Sequence, residues 1–361
     1  RFTRRFGPSF KFINENNHPP TVNLAKDIRT VIELAFCTLI SCVSLLGNDF
    51  TITIESSNDL NEWNSIHTAT VTSEAENTFY RAVIDPVNAP TLILENTILT
   101  VTQTWSQETN YSRTAHVQVP ATNAESHPVI IFFHGASGNG INMLNQYGNT
   151  FTNYIKIGMD GYDNKWNIKT ESSEANDIDF LSSVISQLKS YANVDADNIS
   201  LIGTSNGAAL VLKALLELPE NSFKNGIFMA GQLISDQYRE NKFWYNEFPS
   251  RVYTNEVLLP ARNKIISFHG TDDTSIPYDG GYINWLNRTF YDAQESNYFL
   301  AKGRGFTGSA ISGNGIDTIN PSIKEYGYAD YGVYHYKVIN GNHGLTGFKN
   351  DIVSIILSHI E

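Results

Sequence analysis

A Gly-Thr-Ser-Asn-Gly turn at residues 203–207 constrains the fold more than any other part of the sequence. It stands between an apolar run, Ile199 to Ile202, and a helix-forming run, Ala208 to Leu218. This pattern predicts a sharp strand-to-helix turn that carries Ser205 at its apex. A glycine two positions to either side lets the strand and the helix approach closely. The same five residues could also form an ordinary connection between a strand and a helix. The surrounding motifs therefore decide whether Ser205 has a chemical role.

Two later loops offer the partners that an activated serine needs, a base and an acid that orients it. The first loop, residues 269–278, follows the apolar run 264–268 and contains Asp272 and Asp273. We take Asp273 as the acid and Asp272 as a neighbour that shapes the loop. The second loop, residues 340–344, follows the alternating run 333–339 and holds His343 between glycines. His343 is therefore the candidate base.

A glycine-rich loop at residues 134–140 follows another apolar run, Val129 to Phe133. Such a loop leaves backbone N–H groups free to bind a developing oxyanion. The predicted donors are the N–H groups of Ala136 and of Asn206, the residue directly after the serine. His134 and His269 each precede a loop glycine, and we expect them to brace their loops instead of transferring protons.

The chain order Ser205, Asp273, His343 is that of the α/β-hydrolases. Together with the loop at 134–140, the motifs resemble the polyhydroxybutyrate depolymerase and feruloyl esterase-like branch of that superfamily, over roughly residues 92–361. The resemblance implies a serine carboxylic ester hydrolase that forms an acyl-enzyme, with the fifth residue of the His-Gly loop, Asp273, as the acid. Two features depart from this branch. Ala208 stands where a second glycine often follows the turn, and residues 92–361 contain no cysteine.

Strands and helices alternate along this region, which predicts an α/β fold with a mostly parallel, doubly wound sheet. The pattern includes a long helix from Gly280 to Lys302. Residues 235–262 and 303–332 interrupt the alternation, and we expect them to lie over the site, because loops carry specificity in such folds. The aromatic residues predicted either to line a substrate pocket or simply to pack are Trp244, Tyr245, Tyr278 and Trp285.

The net charge and the positions of the cysteines exclude several classes of partner and site. The 361 residues carry a net charge of −12, which argues against DNA or RNA, since these ligands require a basic surface. The two cysteines, Cys37 and Cys42, both precede the region of the motifs, so neither a thiol nucleophile nor a zinc cluster is expected there. The predicted partner is an ester, either a small molecule or a polymer, with no metal and no organic cofactor.

The sequence divides into a leader-like segment (1–48), a small β-rich module (49–90) and a hydrolase domain (91–361). The apolar run Val31 to Leu46 follows basic residues and resembles a secretory signal, which predicts export. Leu-Ile-Ser-Cys at 39–42 resembles a lipoprotein processing site, which would tether the protein to a membrane through Cys42. The alternative interpretation is a buried element of the small module.

Two other functions stay open at this stage. A serine peptidase of the prolyl oligopeptidase type shares the fold and the order of the three residues, although it usually carries a propeller domain and no repeat is present here. A binding protein built on a hydrolase scaffold would keep the fold without turnover.

Overall fold

The computed structural model describes residues 92–122, 124–259 and 264–361, together with the backbone of five strands before residue 92. The chain divides into two compact units, residues 1–90 and 91–361. Most of the predicted leader and β-rich module lies outside the described residues, and so does most of the apolar run that predicts export. Among the described residues, no helix is both long and apolar enough to span a membrane.

The first unit contains antiparallel strand pairs. Phe50–Ser56 pairs with Asn64–Val71 and also with Phe12–Ile13. A separate pair joins Cys42–Val43 to Tyr80–Arg81.

The second unit is built on a ten-stranded sheet. Its strands, numbered along the chain, are β1 (Ile98–Trp105), β2 (Glu108–Gln118), β3 (His127–Phe133), β4 (Ile155–Met159), β5 (Val194–Thr204), β6 (Asn225–Met229), β7 (Lys264–Gly270), β8 (Ile316–Asp317), β9 (Ile323–Tyr328) and β10 (Val333–Val338).

Six neighbouring strands of this sheet are parallel, in the spatial order β4, β3, β5, β6, β7, β10. Antiparallel strands extend both edges, β2 and β1 beyond β4, and β9 and β8 beyond β10. Because parallel strands end at the same edge, the loops that follow β3, β5, β7 and β10 meet at one side of the sheet. These four loops are the ones that carry the sequence motifs.

In the described part of the chain, five α-helices cover the sheet: α1 (Gly140–Tyr147), α2 (Asp177–Leu188), α3 (Asn206–Glu217), α4 (Ala293–Gly303) and α5 (Lys349–Ile360). Apolar side chains of α2, α3 and α4 pack in one buried cluster, and those of α1 and α5 pack in another. Strand β3 contributes to both clusters, since Ile131 belongs to the first and its neighbours Ile130 and Phe132 to the second. This alternation follows from the two-residue period of a strand. The sheet is thus covered on both faces, which confirms the predicted α/β fold class.

The prediction of a long helix from Gly280 to Lys302 is wrong for the first half of that range. Residues 281–290 instead form a hairpin of strands Gly281–Ile283 and Arg288–Phe290. Gly280 and Gly281 have φ values of 70° and 106°, which a helix cannot accommodate. The helix α4 begins only after Asp292, whose carboxylate accepts hydrogen bonds from the N–H groups of Gln294 and Glu295.

The two segments predicted to interrupt the alternation of strands and helices, residues 235–262 and 303–332, also contain regular structure that the sequence pattern did not indicate. Residues 235–262 include a three-stranded antiparallel sheet of Tyr238–Arg239, Lys242–Tyr245 and Asn255–Val257. Residues 303–332 contain β8 and β9, which extend the main sheet at its edge instead of forming a separate insertion.

Candidate active site

Ser205 lies at the sharp turn between β5 and α3. Its backbone has φ 55° and ψ −117°, a strained conformation for a residue with a side chain. The turn is so compact that a Cβ atom on Gly203 would lie 2.2 Å from the carbonyl oxygen of Gly207. Gly207 in turn packs against the loop after β3, where a Cβ atom would lie 2.3 Å from the carbonyl oxygen of Phe133. The predicted need for both glycines therefore has a direct steric cause.

A continuous chain of hydrogen bonds joins Ser205, His343 and Asp273. The Oγ of Ser205 lies 2.9 Å from the Nε2 of His343, and the Nδ1 of His343 lies 2.7 Å from the Oδ2 of Asp273. A carboxylate only accepts, so the Nδ1 of His343 carries the proton and its Nε2 is left to accept from the serine hydroxyl. The structure thus brings the three residues together in an order suited to removing the serine proton.

The loops that hold Asp273 and His343 contact each other directly. A Cβ atom on Gly270 would lie 2.0 Å from the carbonyl oxygen of Gly341, so the two backbones are in close contact at this point. The N–H of Asp272 also donates to the carbonyl of Gly341 at 2.9 Å. This contact helps to fix the positions of Asp273 and His343 relative to each other.

Asp273 is almost fully buried, and four donors surround its carboxylate. Burial by itself would raise the pKa of Asp273, but hydrogen bonds from His269, His343 and the N–H of Ile276 outweigh it and hold the pKa well below its usual range. The N–H of Ser275 donates as well, at 2.9 Å. Asp273 therefore stays ionised at neutral pH and can stabilise a protonated His343.

The other candidate acid, Asp272, lies outside this chain. Its carboxylate is exposed and accepts from the hydroxyl of Thr271 at 3.0 Å. This arrangement agrees with a role in the shape of the loop.

The predicted oxyanion donors, the N–H groups of Ala136 and Asn206, both belong to residues that line the same cavity as Ser205. Neither N–H donates a hydrogen bond within the described part of the chain. Asn206 is the first residue of α3, where backbone N–H groups have no partner inside the helix and the helix dipole favours negative charge. The two N–H groups are therefore available to an anion.

Trp166 links the two segments that carry the predicted oxyanion donors. The side chain of Asn206 accepts from the N–H of Trp166 at 2.7 Å, and the indole Nε1 of Trp166 donates to the carbonyl of His134 at 2.8 Å. His134 accepts from the N–H of Gly161 through its Nε2 at 3.0 Å, while its Nδ1 lies 2.7 Å from the carbonyl of Gly135. Burial also lowers the pKa of His134, which agrees with a neutral imidazole that stabilises the loop at residues 134–140.

His269 has a comparable position in the loop that carries Asp273. Its Nε2 lies 2.8 Å from the carbonyl of Ile276 and 3.2 Å from the Oδ2 of Asp273. His269 therefore orients the carboxylate of Asp273 and is itself too buried to reach a substrate.

A cavity of about 250 Å³ opens beside Ser205. Its apolar lining comes from several elements and includes Ile168, Ala209, Ala230, Ile234, Ile276, Leu286 and Phe290. Of the four aromatic residues predicted as candidates for the pocket, only Trp285 contributes to the lining. It is 72% exposed and lies in the hairpin that replaces the predicted helix.

The other three aromatic residues pack elsewhere. Trp244 packs under the guanidinium of Arg239, which lies 4.2 Å from its ring centre, and Tyr245 packs against the main core. Tyr278 is 5% exposed and its hydroxyl lies 2.8 Å from the Nε2 of the buried His335. For these three residues the structure agrees with the packing alternative, because each contacts packing partners inside the fold and none lines the cavity.

A buried ion pair in the cavity wall was not foreseen from the sequence. The Nη2 of Arg288 lies 2.9 Å from the Oε1 of Glu171, and both residues line the cavity. The other oxygen of Glu171 accepts from the backbone N–H groups at residues 168–170. The two side chains are 117 residues apart, so no sequence spacing could have joined them.

No cluster of three or more potential metal ligands occurs among the described residues. The order of the sheet and the placement of serine, acid and histidine at its carboxyl edge are those of the α/β-hydrolase fold.

No protein-family model matches the chain, and no curated protein matches it either. Among solved structures, the chain is similar to a poly(3-hydroxybutyrate) depolymerase from Bordetella parapertussis at 14% identity, with a TM-score of 0.49, over 73% of this chain and 89% of that one. It is also similar to the carboxylesterase of Bacillus cereus at 16% identity, with a TM-score of 0.42, over 68% and 94% of the two chains. An acetyl xylan esterase from Aspergillus awamori is 15% identical, with a TM-score of 0.45, over 71% and 97%.

Proposed function

We propose that this protein is a serine hydrolase that cleaves carboxylic esters through an acyl-enzyme. The observation that carries the proposal is the hydrogen-bonded chain from Ser205 through His343 to the buried Asp273, with the serine at a strained turn beside a cavity. The preference for esters over amides is supported by the resemblance of the four sequence motifs to the polyhydroxybutyrate depolymerase and feruloyl esterase-like branch.

The proposed reaction assigns a group to each step. The Oγ of Ser205 attacks the ester carbonyl while the Nε2 of His343 takes the serine proton, and the N–H groups of Ala136 and Asn206 bind the resulting oxyanion. The imidazolium then gives its proton to the leaving alcohol, which produces the acyl-enzyme. Water, activated by the same imidazole, attacks the acyl group and releases the acid and free Ser205.

The cavity favours a small group on one side of the ester. Its volume of about 250 Å³ lies below the range of roughly 300–1,000 Å³ that is typical for drug-sized ligands. A short acyl or alcohol group fits such a space, whereas the rest of a larger ester or polymer would extend past the exposed Trp285. Acetyl, feruloyl and polyester substrates are each compatible with this arrangement.

The test compares the wild type with Ser205→Ala on methyl and p-nitrophenyl esters of short acids, methyl ferulate, a hydroxybutyrate oligomer and a peptide p-nitroanilide. Ser186→Ala, on the surface of α2, serves as the control, because its hydroxyl only donates to a carbonyl within the helix. We expect ester hydrolysis that Ser205→Ala abolishes and Ser186→Ala preserves.

Two results would contradict the proposal. Cleavage of the anilide alone, dependent on Ser205, would favour the peptidase. No turnover and no labelling of Ser205 by a fluorophosphonate would favour a binding protein on a hydrolase scaffold.

We also propose that the protein is exported and tethered to a membrane. The basic and apolar segment before residue 47, with its Leu-Ile-Ser-Cys sequence, supports export and a lipid tether at Cys42. Partition of the expressed protein into detergent, lost in Cys42→Ser, would test the tether.

A further inference from the structure

Both carboxylate oxygens of Glu171 are hydrogen-bonded in the cavity wall. The Oε2 accepts from the backbone N–H groups of residues 168–170, at 3.2, 2.8 and 3.0 Å. The Oε1 lies 2.9 Å from the Nη2 of Arg288 and 3.4 Å from the Nδ2 of Asn206. The side chain itself is buried. The local fold therefore needs a strong acceptor at position 171, and a carboxylate supplies it.

Asn206 connects this carboxylate to the proposed oxyanion site. Its side chain accepts from the N–H of Trp166 at 2.7 Å and donates to the carbonyl of Trp166 at 3.2 Å, in addition to its contact with Glu171. Its backbone N–H is one of the two donors that we assign to the oxyanion. Asn206, Glu171 and Ser205 all line the same cavity. A single asparagine side chain thus spans the distance between the carboxylate and that N–H.

The charge of Glu171 would oppose ester hydrolysis if it were not balanced. The tetrahedral intermediate carries its negative charge at the N–H groups of Ala136 and Asn206. Like charges repel more strongly in a poorly hydrated interior than in water. Salt screens them less there, because Glu171 is buried. A cation beside Glu171 removes this repulsion.

Arg288 supplies such a cation from the hairpin at residues 281–290. Its Nη2 contacts the carboxylate of Glu171 at 2.9 Å, and its side chain is 3% exposed. Its Nε donates to the carbonyl of Leu286 at 3.3 Å, which holds the guanidinium within the hairpin. The position of the charge is therefore fixed.

Lys165 also lines the cavity but does not balance Glu171. Its Nζ donates to the Oγ of Ser172 at 2.9 Å and lies 3.5 Å from the Oδ2 of Asp163. Its side chain is 35% exposed, so water screens its charge.

We propose that Arg288 is a positioning residue for the oxyanion site, where it holds Glu171 in place and cancels its negative charge beside Asn206. This inference rests on the proposed ester hydrolysis. It predicts an asymmetry between the two partners of the ion pair. Loss of Arg288 leaves an anion that repels the oxyanion, whereas loss of the charge on Glu171 leaves a cation that attracts it. An ion pair that only stabilised the fold would lower activity equally from either side.

The test compares Arg288→Met, Glu171→Gln and the double variant on p-nitrophenyl acetate, a neutral ester. In Arg288→Met we expect kcat to fall by about tenfold or more while KM changes by less than about twofold, because the repulsion acts on the transition state. Glu171→Gln keeps an oxygen for the N–H groups of residues 168–170, and its kcat should stay within about threefold of the wild type. The double variant should recover most of the kcat lost in Arg288→Met.

A second measurement follows the negative charge directly. The ketone 1,1,1-trifluoro-2-butanone adds to the serine hydroxyl to form a tetrahedral adduct whose oxygen is an anion. Its inhibition constant should rise in Arg288→Met and should not rise in Glu171→Gln. The control is Lys242→Met, which changes the net charge by the same amount but breaks a surface ion pair with Glu256, away from the cavity. We expect wild-type kinetics and inhibition for this control.

Thermal unfolding shows which variants are folded. Loss of one partner of a buried ion pair is strongly destabilising. If Arg288→Met does not fold, Glu171→Gln and the double variant carry the test, since the double variant leaves neither charge unpaired. The ketone should then bind Glu171→Gln more tightly than the double variant by about threefold or more.

The outcomes distinguish this inference from the function on which it rests. If the wild type cleaves no ester in a Ser205-dependent manner, the proposed function fails. The inference is overturned, and the proposed function stands, if folded Arg288→Met and Glu171→Gln lose kcat equally or if the double variant is no better than Arg288→Met. Equal binding of the ketone to all folded variants would overturn it as well.

Discussion

Gly203 and Gly207 contact each other across the turn that carries Ser205. A Cβ atom on Gly203 would lie 2.2 Å from the carbonyl oxygen of Gly207, and these are backbone atoms that cannot rotate away. The strand and the helix are thus closer than any residue other than glycine allows at position 203. The strained backbone of Ser205 depends on this close approach.

Replacing Gly203 should therefore be costly. We expect Gly203→Ala to lower the free energy of unfolding by about 3 kcal/mol and to abolish esterase activity, because the new methyl group must displace backbone. Chemical denaturation and ester turnover measure the two effects. Gly344→Ala is the control, since a Cβ there would lie no nearer than 3.4 Å to the hydroxyl of Thr346. A folded, active Gly203→Ala would show that the turn can relax.

Removal of the charge on Asp273 should affect turnover far more than binding. In Asp273→Asn we expect kcat to fall by roughly 10⁴-fold, because the amide can donate to Nδ1 and so stabilises the wrong tautomer of His343. The matched change Asp272→Asn should leave kcat within about twofold, since that carboxylate is exposed and contacts Thr271. Steady-state kinetics on one short ester compare the two. Equal losses in both variants would argue against Asp273 as the acid.

Tyr278 should matter for stability and not for substrate. We expect Tyr278→Phe to lower the free energy of unfolding by about 1–2 kcal/mol, because the ring Nε2 of His335 loses its partner in a buried site. The kcat/KM for short esters should stay the same. Tyr282→Phe removes a hydroxyl from a residue that is 61% exposed and should cost little. A selective loss of activity in Tyr278→Phe would favour the pocket alternative for this residue.

His335 should make the fold sensitive to acid. Burial, with smaller effects from the nearby His269 and Lys337, lowers the pKa of His335 well below its usual range. The unfolded chain binds a proton there below about pH 6.5 while the folded protein does not, so the free energy of unfolding falls as the pH drops from that value.

His335 alone lowers the free energy of unfolding by about 1.4 kcal/mol per pH unit over the range in which it is protonated in the unfolded state and not in the folded state. Denaturation curves between pH 7 and pH 5 measure it, and folded His335→Gln should have a shallower slope by that amount. An unchanged slope in that variant would show that His335 does not contribute to the pH dependence.

Local patterns in the sequence predicted the framework of this protein. The apolar runs, the alternating run at residues 333–339 and the glycine-flanked turn are properties of neighbouring residues. They therefore predicted the α/β class and the strand ends from which Ser205, Asp273 and His343 come. The short hairpin at 281–290 was missed, because its cause is the backbone of Gly280 and Gly281 and not an apolar period.

Only the tertiary structure decided which side chains surround the serine. Glu171 and Arg288 meet across 117 residues, and Gln232 and Gln237 line one cavity because the hairpin at 281–290 pairs with residues 232–235. Tyr278 lies only a few residues after Asp273, yet it packs away from the cavity against His335. Sequence periodicity reports which face of an element is apolar, whereas the contacts of a pocket depend on how distant elements pack, and that information is not local.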